Sequence, residues 1–164
     1  MSRHQGFVRN RGEGERRWFA GGGVHEWKAT AAETRGSLFA FEDEIDAGKV
    51  TPLHAHPRAD EFGYVLEGEI ELYLGGAVHR VRAGGFYFTP RGTPHAFRGI
   101  AARTRLIAAQ TPGDGDSFYL QASEPIGADV SSGEVDFATV GRIAEETGTT
   151  LLLGPPPFEP AGLA

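Results

Sequence analysis

Gly48-Lys-Val-Thr-Pro-Leu-His54-Ala-His56-Pro-Arg-Ala-Asp-Glu61-Phe-Gly-Tyr-Val-Leu-Glu-Gly68 is the stretch that decides how this chain is read. Side chains two apart on a β-strand point to the same face. His54 and His56 can therefore both reach inward while Ala55 turns away. Pro57 to Asp60 reads as a short turn, and Glu61 opens a strand-like run, Glu-Phe-Gly-Tyr-Val-Leu. Pairing of this run with the His-Ala-His strand would bring Glu61 back to the same interior. Phe62, Tyr64 and Leu66 then share one face and Glu61, Gly63 and Val65 the other, where Gly63 leaves space. Glu67-Gly68 is a turn signal, Ile70, Leu72 and Leu74 alternate after it, and Gly75-Gly76 turns the chain again.

A second stretch, Gly84-Gly-Phe-Tyr-Phe-Thr-Pro90-Arg-Gly92-Thr-Pro-His95, adds a third imidazole at the end of a loop. Three imidazoles and one carboxylate are a donor set for a mid-row transition metal. His4 lies near the terminus and His79 falls among Arg80 and Arg82 on an exposed strand. His25, between Val24 and Trp27, has a smaller claim on the pocket.

The two stretches resemble the paired motifs of the cupin superfamily. The first motif is a Gly, five residues, His-x-His, four residues, Glu, six residues and a Gly; Gly48, His54, His56, Glu61 and Gly68 fill every fixed position. The second is a Gly, five residues, Pro-x-Gly, two residues, His, three residues and an Asn. Gly84, Pro90, Gly92 and His95 match it, and Gly99 stands where the family has Asn. The resemblance implies an all-β cupin double-stranded β-helix, a jelly-roll barrel, here with short C-terminal helices. It also implies one divalent transition metal (Fe, Mn, Ni, Co, Cu or Zn) held by His54, His56, Glu61 and His95. Ligand type alone does not choose among these metals.

The flanks resemble small bacterial cupins of the quercetin-dioxygenase-like group: an early Trp-Phe-Ala-Gly-Gly, a Gln-Thr-Pro after the last barrel strand, a short helix with Phe118, and Leu-Gly-Pro-Pro-Pro near the end. That resemblance implies a metal-dependent dioxygenase acting on a small aromatic or enolisable substrate, with dioxygen as co-substrate. Glu61 would act both as ligand and as general base toward an enol proton. Phe39, Phe62, Phe86, Phe97 and Phe118 are the candidates to line an apolar substrate pocket, although core packing is the ordinary role of any one phenylalanine. Two other classes use the same site: a redox-neutral isomerase or polyketide-type cyclase, with the metal as Lewis acid, and a non-catalytic cupin that only binds a small ligand. A fold does not specify a reaction.

Composition sets the remaining bounds. The chain has 164 residues, the size of one domain, and its 40% hydrophobic content with 11 Phe can fill a single core. Its 24 Gly and 10 Pro suit many short strands joined by tight turns. There is no cysteine, hence neither disulfide nor thiolate ligand. A formal charge of −6 argues against a nucleic-acid partner. No run is long enough to span a membrane. Met1 to Phe7 lack the apolar stretch of a secretory signal, so a cytoplasmic protein is expected. A homodimer is expected because closed two-fold pairs are the commonest oligomers, with Trp18 and Trp27 as interface candidates.

Read coarsely, residues 1–33 form N-terminal strands packing on the barrel, 34–112 the barrel itself, and 113–164 a helical segment with a proline-rich tail. Strands are expected at Arg16–Ala20, Val24–Lys28 and Ser37–Phe41, and the last at Arg103–Thr111, where Leu106, Ala108 and Gln110 alternate. Asp116 should cap a helix over Ser117–Ser123. Ile126–Glu134 reads as a linker. Asp136 should cap a second helix with Phe137, Val140, Ile143 and Ala144 on one face and Gly148 as its stop. Both the N-terminal residues and this helix are expected on the outside of the barrel, and Leu151–Phe158 as an extended tail.

Overall fold

The computed structural model describes residues 6–20, 22–126 and 136–158. The alternating apolar pattern becomes two antiparallel sheets. Seven strands form the first: β1 (Arg16–Phe19), β2 (Val24–Ala29), β3 (Phe39–Asp46), β5 (Asp60–Glu67), β8 (Phe86–Thr89), β10 (Arg103–Thr111) and β11 (Ser123–Pro125). Their order across the sheet is β11-β1-β2-β3-β10-β5-β8. The second sheet holds β4 (Leu53–Ala55), β6 (Glu69–Leu74), β7 (Ala77–Arg82), β9 (His95–Gly99) and β12 (Leu151–Gly154), in the order β12-β4-β9-β6-β7. Two sheets that face each other and exchange strands in this way make a jelly roll. Among the described residues no helix is long and apolar enough to cross a membrane.

The inner faces carry the core. Phe39, Ile45, Val65, Ile70 and Leu106 are almost wholly buried in one cluster. Burying each such side chain contributes about 1.5–3 kcal/mol. On β5, Glu61, Gly63 and Val65 face in, and Phe62, Tyr64 and Leu66 face out. The chain passes from one sheet to the other between β5 and β6 at Gly68, whose φ is 80°. A Cβ at that position would collide with the backbone of Arg103 and the hydroxyl of Thr104. That hydroxyl spans the corner, donating to Glu69 O at 3.1 Å and lying 3.3 Å from Glu69 N.

Several expectations change. The His-Ala-His strand does not pair with the Glu61 run: β4 pairs with β9 and β12, whereas β5 pairs with β10 and β8. The two halves of the first motif therefore face each other across the barrel. β3 runs on through Glu42-Asp-Glu-Ile-Asp46, beyond the apolar stretch that marked it. Its buried acids are paired, Glu42 with Arg105 at 2.6 Å and Asp43 with Lys49 at 3.0 Å, which satisfies charges that burial would otherwise penalise.

The helices also differ in detail. α1 (Ala31–Thr34) is short and closed by a capping box in which Thr30 and Glu33 satisfy each other's backbone. α2 (Asp116–Gln121) follows a 3₁₀ turn at Gly113–Gly115, and Asp116 does not cap it. Its Oδ2 instead accepts from Ala31 N at 2.9 Å, tying α2 to the start of α1. α3 (Phe137–Thr147) does begin at Asp136, whose side chain accepts from Thr139 N, and ends at Gly148 in the left-handed region. Val140, Ile143 and Ala144 join the main core, and Phe137 is about half exposed. Beyond α3 the expected tail is a strand, β12, on the edge of the second sheet beside β4. The N-terminal strands likewise extend the first sheet. Trp27 is buried edge-on against Phe39 and Trp18 half-buried against the same core. Most of the expected linker, and His4, lie outside the described residues.

Candidate metal centre

Three histidines meet inside the barrel. His54 on β4 and His95 on β9 are direct cross-strand partners. His56 follows β4 by one residue. A ligand nitrogen from each lies within 4.8 Å of the other two, and all three side chains are buried. Nitrogens bound to one metal at about 2.0–2.1 Å are necessarily this close together.

Each ring is turned by its other nitrogen. His54 Nδ1 lies 2.9 Å from Pro52 O, and His95 Nδ1 lies 2.9 Å from Thr93 O. His56 Nδ1 lies 3.4 Å from Thr149 O and 3.3 Å from Thr150 Oγ1. A backbone carbonyl on Nδ1 selects the tautomer that leaves Nε2 with a lone pair for a cation. The Nε2 of His95 is buried and without a hydrogen-bond partner among the described residues. A buried orphan acceptor in a ring of histidines fits a metal ion.

Glu61 enters from the opposite sheet. Its Oε2 lies 3.0 Å from His56 Nε2, and its Oε1 lies 3.6 Å from His95 Nε2. Burial pushes its carboxyl pKa up, but the adjacent His56 and His95 imidazoles outweigh this and hold it well below the ordinary value. Glu61 is therefore a carboxylate. The reverse holds for His54, where burial, then the neighbouring His95 and His56, push its pKa well down and keep it neutral. At His95 burial acts downward, but the nearby Glu61 carboxylate wins and raises it. Neutral imidazole and ionised carboxylate are the forms that coordinate.

Two further side chains hold Glu61. Tyr87 donates its hydroxyl to Oε1 at 3.3 Å, and Gln110 Nε2 donates to Oε2 at 3.3 Å while also lying 3.0 Å from His56 Nε2. The loop before β9 is tied down separately. Gly92 N donates to His56 O at 2.8 Å, and Arg91 makes a bidentate pair with Asp60, with Nη2 at 2.8 Å from Oδ2. The Arg91 hydrogen bonds pull the Asp60 carboxyl down to about 2. Asp60 precedes Glu61 and Arg91 lies four residues before His95, so this pair sets the one against the other.

His54 and Glu61 line a cavity of about 50 Å³. Phe97 and Phe118 line it too, with Phe41, Leu106 and Tyr119. Phe39, Phe62 and Phe86 do not. Phe39 is wholly buried in the core, Phe62 packs on Ala29, Ala40 and Ala109 on the outer face, and Phe86 is 61% exposed. Outward alternation on β5 and β8 places the last two beyond reach of the pocket. The departure from the second motif has a steric basis: a Cβ at Gly99 would stand 2.7 Å from Asp46 O, so an asparagine does not fit here. Composition and motif spacing did not single out Tyr87, Gln110 or Thr150. Gln110 carried the one available signal, a polar residue on the inward face of an otherwise apolar alternation.

Residues 41–107 match the family model described as "Cupin domain". Quercetin 2,3-dioxygenase of Bacillus subtilis is 35% identical over 116 residues, which is 70% of this chain and 34% of that protein. The transcriptional regulator PuuR of Escherichia coli, a helix-turn-helix type, is 38% identical over 77 residues, 46% of this chain and 42% of that one. An RmlC-like cupin structure from Shewanella frigidimarina superimposes with a TM-score of 0.60 at 23% identity, covering 68% of this chain and 96% of the other. Residues 41–107 thus match a cupin domain, and with the sheet topology the structural likeness shows the cupin jelly-roll fold. It spans between about a third and about two fifths of the length of the two curated relatives.

Proposed function

We propose that this cupin binds one divalent transition metal through His54, His56, His95 and Glu61 and oxygenates a small enolisable substrate. The observation that carries this reading is the buried convergence of three oriented imidazoles with an ionised carboxylate beside an apolar cavity. The 35% identity to a quercetin 2,3-dioxygenase supports oxygenation among the reactions such a centre can serve. A bound metal would lower the pKa of a coordinated enol or polarise its oxygen.

The chain's own residues supply the rest. Glu61 Oε2, an ionised acceptor, takes the enol proton. Tyr87 O–H and the Gln110 amide hold the carboxylate in place. Phe97, Phe118 and Leu106 exclude water and give the substrate an apolar wall. The cavity of about 50 Å³ is roughly a third of the ~150 Å³ space that takes up benzene. Size thus favours a substrate of a few heavy atoms over a flavonol.

The test is dioxygen consumption by metal-loaded protein across a panel of small enols and enolisable acids, with flavonols for comparison. Uptake with a small enol supports the reading. No uptake with any substrate, from protein whose metal content is verified, transfers the site to redox-neutral Lewis-acid chemistry.

We also infer a homodimer formed through the first sheet. β8 is an edge strand of that sheet, and its outer face shows Phe86 and Phe88 beside the exposed Tyr64 of β5. Trp27, being in the core, is not part of such a contact.

A further inference from the structure

A second charged cluster lines the same cavity. His25 on β2 and Asp43 on β3 are cross-strand partners, and Lys49 follows the turn after β3. Lys49 Nζ donates to Asp43 Oδ2 at 3.0 Å, and its side chain is 7% exposed. An ammonium has three N–H donors, and this is its one hydrogen bond among the described residues; it also lies over the face of Phe97, 5.5 Å from the ring centre. His25 is clamped between Phe19 and Phe41, with ring centres 4.7 and 4.3 Å away. Its Nε2 faces Asp43 Oδ1 at 3.5 Å, and its Nδ1 is buried with no partner among the described residues. Gly23, with φ 110°, leaves room for the pair: a Cβ there would stand 2.6 Å from Lys49 Nζ and 2.8 Å from Asp43 Oδ1.

Stability alone does not explain this arrangement. A buried ion pair is commonly no better than apolar residues of the same volume. Here the pair also leaves ammonium donors and an imidazole nitrogen unmatched on a cavity wall, and buried polar groups without partners are costly. The unmatched ammonium donors suit a ligand that brings oxygen.

We propose that Lys49 is a substrate-binding residue that holds the carboxylate of a small organic acid, whose remaining oxygen function faces the three histidines. Asp43 keeps the ammonium in place, and His25, wedged between two rings, lies against Asp43. The proposal deepens the metal reading and rests on it for its charge balance. With a divalent ion present, Glu61, Asp43 and Lys49 leave the cavity one net positive charge, which a monoanion neutralises. The small cavity and its apolar walls limit that anion to a short acid.

The experiment compares acetate with acetamide, which has nearly the same shape and no charge, by calorimetric titration of zinc-loaded protein. Zinc content is measured separately, and zinc is chosen because it supports no turnover by oxygen. Acetate should bind at least tenfold more tightly than acetamide. K49M should lose at least tenfold in acetate affinity while keeping its zinc. Because K49M leaves Asp43 buried and unpaired, the double variant D43N/K49M, which removes both charges, is measured beside it and should show the same loss with a cooperative melt. Equal binding of acetate and acetamide, or acetate binding unchanged in the folded double variant, overturns the proposal; the latter result assigns the anion to the metal alone. If the wild-type protein takes up no zinc, the metal reading fails by itself. Acetate titration of the metal-free protein then decides: Lys49-dependent binding upholds the subsite, and its absence overturns it.

Discussion

Gly63 and Tyr87 occupy the same space: a Cβ on the glycine would overlap the tyrosine ring. The two are register partners on β5 and β8. The missing side chain lets the phenol lie across the strand and reach Glu61, so the space that Gly63 leaves is filled by the residue that bonds to that carboxylate.

Gly63→Ala should therefore push Tyr87 aside. Overpacking of this kind costs about 1–3 kcal/mol, read as a lowered melting temperature. Tyr87→Phe keeps the ring and removes only the hydrogen bond to Glu61. Its melting temperature should change little, and metal affinity should fall by about 10–100-fold, the usual effect of losing a partner that orients a ligand. Unchanged metal affinity in Tyr87→Phe would show that Glu61 needs no such support.

Glu61→Gln and His54→Ala should separate base from ligand. Glutamine keeps one oxygen and cannot take a proton at neutral pH. The Glu61→Gln variant should retain part of its metal by elemental analysis and lose about 10²–10⁴-fold in turnover. His54→Ala should lose the metal first and activity with it. Near wild-type turnover by Glu61→Gln would remove Glu61 as the base.

Metal affinity should fall with pH through the titration of His95. Its pKa is raised because Glu61 outweighs burial, so a metal begins to compete with a proton above the ordinary value of 6.5. His54, held well below that value, should add nothing in that range. Metal affinity measured between neutral and mildly acidic pH, in wild type and in Glu61→Gln, checks the cause: without the carboxylate charge the fall should move to lower pH.

A separate pH effect belongs to Glu33. Its carboxyl is pulled to about 2 from 4.5 by the hydrogen bond from Arg9, against burial and with help from Thr30. Arg9 Nη2 lies 2.6 Å from Oε1. A depressed acid stabilises the fold fully above its unfolded pKa. That contribution is lost as pH falls from about 4.5 toward 2. Glu33→Gln should flatten the melting temperature across that window and leave the metal centre untouched. An identical acid profile in the variant would show that the pair contributes nothing.

Light scattering at micromolar concentration tests the dimer. The wild type should run at twice the 17.6 kDa chain mass, and Phe86→Ser with Phe88→Ser should run as a monomer. Both side chains are exposed, so the fold should survive. A monomeric wild type rejects the interface while leaving the barrel intact.

Local pattern by itself marked most of the strands, the glycine turns and the three histidines that converge, because alternation and motif spacing are properties of neighbouring residues. It determined α3 with its Asp136 cap and Gly148 stop for the same reason. Which strands pair was a matter of tertiary structure. His54 and Glu61 are seven residues apart, yet they come from opposite sheets, since the turn between them changes sheet and does not close a hairpin. The acidic end of β3 was hidden because Glu42 and Asp43 are burial-compatible only beside Arg105 and Lys49, which are remote or across a turn. Tertiary structure also decided that the segment after α3 becomes β12 and brings Thr149 and Thr150 to His56 Nδ1, over 90 residues away in the chain. Tertiary structure likewise brings Tyr87 and Gln110 to Glu61, and Lys49, Asp43 and His25 to the wall of the same cavity. Orientation of a buried polar atom depends on which partner the folded chain places opposite it, and no local spacing carries that information.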